Sequence, residues 1–295
     1  MIAKLFMSIL LLSGLVYLVV RALRRRFTVH LDSLEAELRK PGAVQRARSG
    51  LPAEVEALAS RLGAAADGTS SFTSFEQSGQ MWQLPGRKPM DFMARQTVRL
   101  DAPAFLWRAA TRPPLSVVVA DYFVAGTGGL EVMLLGAFPL ARIVGGASVN
   151  QGEALRYLAE LPWNPDAIFA NKALDWTVVD AKTIKVATGT GSERGEVTFD
   201  LDDNGLICRA SAPSRAYTEK DGRVTMHPWH GRFWNYQRIG DRYIPVQGEV
   251  SWSLDAGDFV YWQGRILSWN GSSTLMPATE YALHTTQNGA KTTAS

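Results

Sequence analysis

EVTFDLDDNGLICRA, residues 196–210, is the stretch that decides the fold. Val197, Phe199 and Leu201 alternate with polar neighbours, Asp202-Asp203-Asn204-Gly205 supplies a turn, and Leu206, Cys208 and Ala210 return on one face. Period-two alternation around an Asp/Asn/Gly cluster is the sequence signature of an antiparallel hairpin.

The same period recurs in both directions. In Met90–Leu100, residues Met90, Phe92, Ala94, Val98 and Leu100 share one face, and Asp91, Arg95, Thr97 and Arg99 the other. Phe105, Trp107 and Ala109 repeat the pattern up to Pro113-Pro114. Leu115–Val124 is apolar almost throughout, which predicts burial on both faces and singles out Asp121 near its end. Val246–Leu254 and Phe259–Ile266 alternate again on either side of Ala256-Gly257. One segment differs. Asn150–Leu161 has helical spacing through Leu155, Leu158 and Ala159, with Asn150 placed to cap it and Glu153 three residues on. A strand meander broken by one helix predicts a mainly β domain, with an antiparallel curved sheet and a helix packed on it or plugging its mouth.

Before residue 71 the period is 3.6. Leu5–Val20 is interrupted only by Ser8, Ser13 and Gly14, and with residues 1–4 it approaches the ~20 residues that cross a hydrocarbon core, Lys4 snorkelling to the interface. Arg21-Ala22-Leu23-Arg24-Arg25-Arg26 follows in place of a small-x-small cleavage site, so the reading is an uncleaved anchor. The arginines place the domain behind them in the cytoplasm by the positive-inside rule. Val29, Leu31, Leu34 and Leu38 continue a helical stripe, and a second helix is expected from Pro52 with Val55, Leu58, Ala59 and Leu62 inward. The chain thus divides into an anchor with basic flank (1–26), a helical stalk and linker (27–70), a β domain (71–276) with a helix at 150–161, and a polar, disordered tail (277–295).

The formal net charge of +3 hides an asymmetry. Lys4, Arg21, Arg24, Arg25, Arg26, Arg39, Lys40, Arg46 and Arg48 oppose only Asp32, Glu35 and Glu37 in the first fifty residues, so the remainder is net acidic. The basic excess belongs beside anionic headgroups, and the folded part has no basic face for nucleic acid. The single cysteine, Cys208, does not fix the redox compartment. No nucleophile elbow and no phosphate loop occur, and Gly126-Thr127-Gly128-Gly129 precedes a strand, so no cofactor is expected. His227 and His230 flank Pro228, which keeps them from presenting one ligand pair on a helix, and no metal is expected.

Chemistry-bearing residues remain. Asp121, Glu160, Asp175 and Asp180 each adjoin apolar sequence, where burial raises a carboxyl pKa. Arg156 and Glu160 stand four apart on the predicted helix, surrounded by Leu155, Tyr157, Leu158 and Trp163. Nine tryptophans spread over nearly every predicted strand, as plain core or as the lining of a cleft for an acyl chain or other hydrophobic molecule.

The motif order Met90–Gln96, Pro103–Trp107, Asp121-Tyr122, Arg156-Tyr157-Leu158-Ala159-Glu160, Trp163, Trp176, Pro228-Trp229, Tyr236, Ile244-Pro245, Trp252 and Tyr261-Trp262 resembles a bacterial family of membrane-anchored, β-rich proteins of unknown function. The resemblance spans roughly residues 50–270 and implies architecture, not activity. In its predicted topology the domain also resembles the half-barrel lipoprotein carriers of the LolA and LolB type, though it has no lipobox cysteine. Together these give a candidate cleft and mouth built from Arg95, Trp107, Asp121, Tyr122, Arg156, Tyr157 and Glu160, with Trp163, Asp175, His227, Trp229, Tyr236, Trp252 and Tyr261. The leading reading is a membrane-tethered module binding a lipid-like or other amphipathic ligand. An enzyme with carboxylate acid/base groups at the cleft mouth, and an envelope assembly protein with a membrane-protein partner, are the alternatives.

Overall fold

The computed structural model describes residues 2–40, 50–65, 71–112, 116–219 and 221–269. Pro41-Gly42, most of the predicted linker, Pro113-Pro114, Leu115 and the polar tail lie outside the described residues.

Two antiparallel meanders build the domain. The first is β1 (Phe72–Met81), β2 (Met90–Arg99), β3 (Ala104–Thr111), β4 (Val117–Val124), β5 (Thr127–Leu134) and β6 (Phe138–Val144). The second is β7 (Asp175–Asp180), β8 (Thr183–Thr188), β9 (Gly195–Leu201), β10 (Ile207–Thr218), β11 (Val224–Ile239), β12 (Arg242–Leu254) and β13 (Gly257–Trp269). β1 pairs with β13, joining them in one sheet ordered β6-β5-β4-β3-β2-β1-β13-β12-β11-β10-β9-β8-β7. A twisted open sheet rarely exceeds about ten strands without curling, and this one curls into a half-barrel. Its helix, α3 (Ala147–Ala159), lies in the concavity and touches β4 and β5 on one arm and β8, β9 and β10 on the other.

The hairpin at 196–210 forms as its turn residues dictate. Asp202 Oδ1 accepts from the N–H groups of Asn204 and Leu206 at 2.9 and 2.8 Å, and Gly205 takes φ +71°, which a side chain would strain. The return strand departs from strict alternation, because a bulge between Ile207 and Arg209 turns Ile207 inward and leaves Cys208 half-buried. At the centre of the sheet Gly79, Gly264 and Gly248 stand side by side across β1, β13 and β12. A Cβ on Gly264 would lie 2.5 Å from the Trp262 ring, and one on Gly248 3.1 Å from Trp163. The row leaves room for two indoles to approach the backbone closely.

The core occupies the concavity. Phe75, Phe92, Phe105, Leu158, Leu161, Phe199 and Ile207 are buried there, and α2 (Ala53–Arg61) closes one end with Val55, Leu58, Ala59 and Leu62 fully buried. Leu62 accepts the Tyr243 N–H at 2.9 Å and so fixes that end to β12. After α3 the chain makes a tight turn at Leu161–Trp163 and a short helix, α4 (Ala167–Ala170), before β7.

A second cluster lies on the convex face. α1 is one continuous helix, Ile2–Leu38, so the apolar segment and the first stalk helix are a single rod. Phe27, Leu31 and Leu38 pack on Ala104, Leu106, Ala120, Tyr122 and Val124, whereas Val29 faces outward. Its polar contacts track across the strands: His30 Nε2 to Glu131 Oε1 at 2.8 Å, Arg108 to Glu35 at 3.0 Å, and Arg99 Nη1 to the Leu38 carbonyl at 3.2 Å. Residues 4–19 are exposed, and by length and composition this helix suffices to cross a membrane.

Two sequence expectations need correction. Asn150 does not cap α3, whose N-cap is Gly146. It sits one turn in, accepting from Gly128 N–H at 2.9 Å and donating to Glu193 at 2.8 Å, so it links β5 to the 191–193 turn. On its α1-facing side β4 buries Ala120, Tyr122 and Val124; Val117, Val119 and Asp121 on the other side are half-buried because they border a cavity.

Candidate functional site

A cavity of about 270 Å³ opens between α3 and the concave face of β1–β5 and β10–β13. Its floor is polar. Arg156 of α3 donates from Nε to Glu160 Oε1 at 2.9 Å and from Nη1 to Asp121 Oδ2, while Gln96 bonds Glu160 Oε2. The guanidinium lies 4.8 Å from the Phe105 ring centroid and 5.3 Å from that of Trp107. Both carboxylates hold Arg156 charged against the opposing effect of burial.

Glu153 lies one turn before Arg156. Burial first, and the negative charge of Asp121 second, push its carboxyl well above the ordinary carboxylate range. Asp121 Oδ1 and Glu153 Oε2 are both buried and have no hydrogen-bond partner.

The walls are aromatic, and their polar edges are already engaged. Trp107 Nε1 donates to Gln77 at 2.8 Å, Trp163 Nε1 to the Pro245 carbonyl at 2.8 Å, and Trp229 Nε1 to the Tyr261 hydroxyl at 3.1 Å. Ring faces therefore line the space, joined by Trp262, Phe233, Val119, Leu130, Val132 and Val250. Burial raises the Tyr261 hydroxyl pKa, so it stays neutral. The mouth is formed by Met81, Trp82, Gln83, Met90 and Val117.

The mouth has a definite orientation relative to α1. Val117 pairs with Leu134, and Leu134 with Phe138, so the β5–β6 turn stands on the same rim. A Cβ on Gly136 in that turn would lie 3.7 Å from Arg24 Cγ. The apolar half of α1 therefore leaves the domain on the side where the cavity opens. The exposed apolar residues Phe138, Leu140, Val224 and Met226 lie toward that end.

Seven of the candidates from sequence, Trp107, Asp121, Arg156, Glu160, Trp163, Trp229 and Tyr261, line this cavity. Trp252 stands one layer behind, stacked on Tyr261 with centroids 6.1 Å apart. The other six lie elsewhere. Arg95 and Tyr122 project from the convex face, because the alternation that turns Gln96 and Asp121 inward turns them outward; Tyr122 donates to Glu131 at 3.1 Å and is pushed up to about 12, chiefly by burial. Tyr157 is core, its hydroxyl bonded to the Arg99 carbonyl and Asn171. Tyr236 donates to the Ile207 carbonyl at 2.7 Å, toward the closed end. Asp175 is exposed on edge strand β7, paired with Arg194, and His227 bonds Thr225 beside Glu219. Among the described residues no three His, Cys, Asp or Glu side chains gather as a metal site.

Sequence reasoning missed Gln96, Glu153 and Arg215. Gln96 occupies an inward slot between Ala94 and Val98, and a polar residue in an apolar row is the informative kind of exception. Arg215 is turned inward by a bulge between Ala212 and Arg215, and the mid-strand Pro213 was the available signal.

The motifs on these elements decide the family. The chain belongs to DUF6544, a family of unknown function. The family profile matches residues 43–264, which takes in the sheet as far as Gly264 in β13, α3 and every cavity residue named above. No curated protein matches the chain. Among solved structures, a LolA superfamily protein from Nitrosomonas europaea aligns at 10% identity and TM-score 0.39, over 77% of this chain and 96% of that one. A DUF1329 family protein from Desulfovibrio piger aligns at 15% identity and TM-score 0.43, over 79% and 97%.

Proposed function

We propose that the protein is a single-pass membrane module whose half-barrel takes up the chain of a membrane amphiphile. The observation that carries this reading is an apolar, tryptophan-walled cavity with a charged floor, whose mouth opens on the side where α1 leaves the domain. With α1 in the bilayer, Arg21, Arg24, Arg25 and Arg26 lie at the headgroup level, and the rim residues Phe138 and Leu140 rest at the interface. A chain then passes from lipid to cleft without crossing water. The positive-inside rule, applied to these arginines, supports a cytoplasmic half-barrel.

The test is photo-crosslinking of the full-length chain in nanodiscs containing a lipid with a diazirine near the acyl terminus. Adducts on Met81, Met90, Val119, Leu130 or Val132 support the reading. Adducts confined to α1 would contradict it, since they report only the bilayer span.

A further inference from the structure

Arg215 is a charged group of the cavity lining that the floor network leaves out. It lines the cavity with 11% of its side chain exposed. Its guanidinium lies 4.5 Å from the Trp229 ring centroid and 5.8 Å from that of Trp252. Gly152 on α3 leaves room for it, since a Cβ there would already sit 3.4 Å from Arg215 Nε. Among the described residues its only carboxylate neighbour is Glu153, with Nη2 3.8 Å from Oε1, beyond hydrogen-bond range. Burial and Asp121 raise the Glu153 carboxyl, while Arg215 and Arg156 act to lower it. Asp121 and Glu160, the other carboxylates on the cavity wall, are both taken by Arg156. A largely buried guanidinium held by one ion-pair contact at 3.8 Å, with no hydrogen bond to any of its donors among the described residues, is incompletely satisfied.

A second argument comes from partitioning. Moving an acyl chain from bilayer to cleft exchanges one apolar medium for another, so the chain gains little and does not discriminate between lipids. Selection falls to the head. We propose that Arg215 receives the anionic head of the amphiphile, a carboxylate or phosphate monoester, whose chain then lies along Trp229 and Trp262 toward the mouth. The planar fork of the guanidinium suits two oxygens of either head, and Trp229 holds it face-on. This inference rests on the amphiphile reading above and adds the charge of the ligand to it.

The test is quenching of tryptophan fluorescence in the full-length chain in nanodiscs. All nine tryptophans lie between Trp82 and Trp269, so α1 is silent. Three brominated probes are titrated at equal bilayer mole fraction: dibromostearic acid, brominated phosphatidic acid and dibromostearate methyl ester. The expected result is saturable quenching by at least one of the anions at a mole fraction about tenfold or more below the ester, as a charge-assisted bond in a dry site implies. Which anion wins separates carboxylate from phosphate. Arg215→Gln is expected to bring that anion to the level of the ester, and Arg215→Lys to retain part of the preference. Equal quenching by acid, phosphatidic acid and ester in the unaltered chain would overturn the anionic head while leaving the amphiphile reading in place. Absence of saturable quenching by all three would overturn both. The comparison of probes uses the unaltered chain, so it stands even if Arg215→Gln fails to fold.

Discussion

Arg156→Met removes the hub of the cavity floor while keeping its length and apolar stem. It leaves Asp121 and Glu160, with side chains only 17% and 13% exposed, without a counter-charge. Removing one partner of a buried pair costs about 3–5 kcal/mol, because the charge left behind stays desolvated. Contacts with the Phe105 and Trp107 rings are lost in addition. For a domain of this size each kcal/mol moves Tm by about 2–4 °C, so the expected fall is roughly 6–20 °C. Thermal unfolding of the full-length chain in nanodiscs, followed by tryptophan emission, measures the fall, and urea unfolding measures the loss in free energy. The triple variant Arg156→Met, Asp121→Asn, Glu160→Gln is expected to recover most of the loss, since replacing all charged partners together is near neutral. A loss below about 1 kcal/mol in the single variant would refute the reasoning, because it is the value of a solvent-screened surface pair.

Three further outcomes follow from the same geometry. Glu153→Gln should make stability less sensitive to pH: a carboxyl raised in the folded state contributes stability fully present below its unfolded pKa of about 4.3 and lost as pH rises through the folded value, so variant and parent should match in acid and diverge in favour of the variant toward neutral pH, and a constant difference across pH 4 to 8 would count against it. Gly264→Ala places a Cβ 2.5 Å from the Trp262 ring and should cost about 1–3 kcal/mol with altered near-ultraviolet dichroism, while Gly79→Ala, which meets the Gln263 carbonyl instead of a movable ring, should cost more; equal costs would contradict the close-packed row. His30→Ala removes the 2.8 Å bond that ties α1 to buried Glu131, and it should raise protease cleavage within 27–40 without changing the urea midpoint of the sheet by more than about 1 kcal/mol.

Much of the fold was legible in the chain because strand alternation and turn chemistry are local signals. Phe92, Ala94 and Val98 point inward and the Asp202–Gly205 turn closes its hairpin as the pattern demands. The helical signals from Pro52 and at 150–161 also reflect local periodicity, and the helices form at Ala53–Arg61 and Ala147–Ala159. What stayed hidden depends on contacts far apart in sequence. Pairing of β1 with β13 brings Gln77 beside Ile266, and no local pattern encodes that closure. The docking of Phe27 and Leu31 on Leu106 and Tyr122 was likewise invisible, since an amphipathic stripe does not name its partner. In the site, residues one position apart were confused: Asp121 reaches the cavity but Tyr122 does not, and Gln96 turns inward to bond the cavity carboxylate Glu160 while Arg95 turns outward. Bulges defeat parity altogether, and Arg215 reaches the cavity through one.

The central claim is that the half-barrel holds one membrane amphiphile in its cavity. Native mass spectrometry of the full-length chain, ejected from lipid nanodiscs under activation that strips bilayer lipid from α1, tests it most directly when compared with the cavity-filling variant Val119→Trp. The account predicts one retained adduct of amphiphile mass on the parent chain and none on the variant. Identical spectra from the two, with or without adducts, would contradict it.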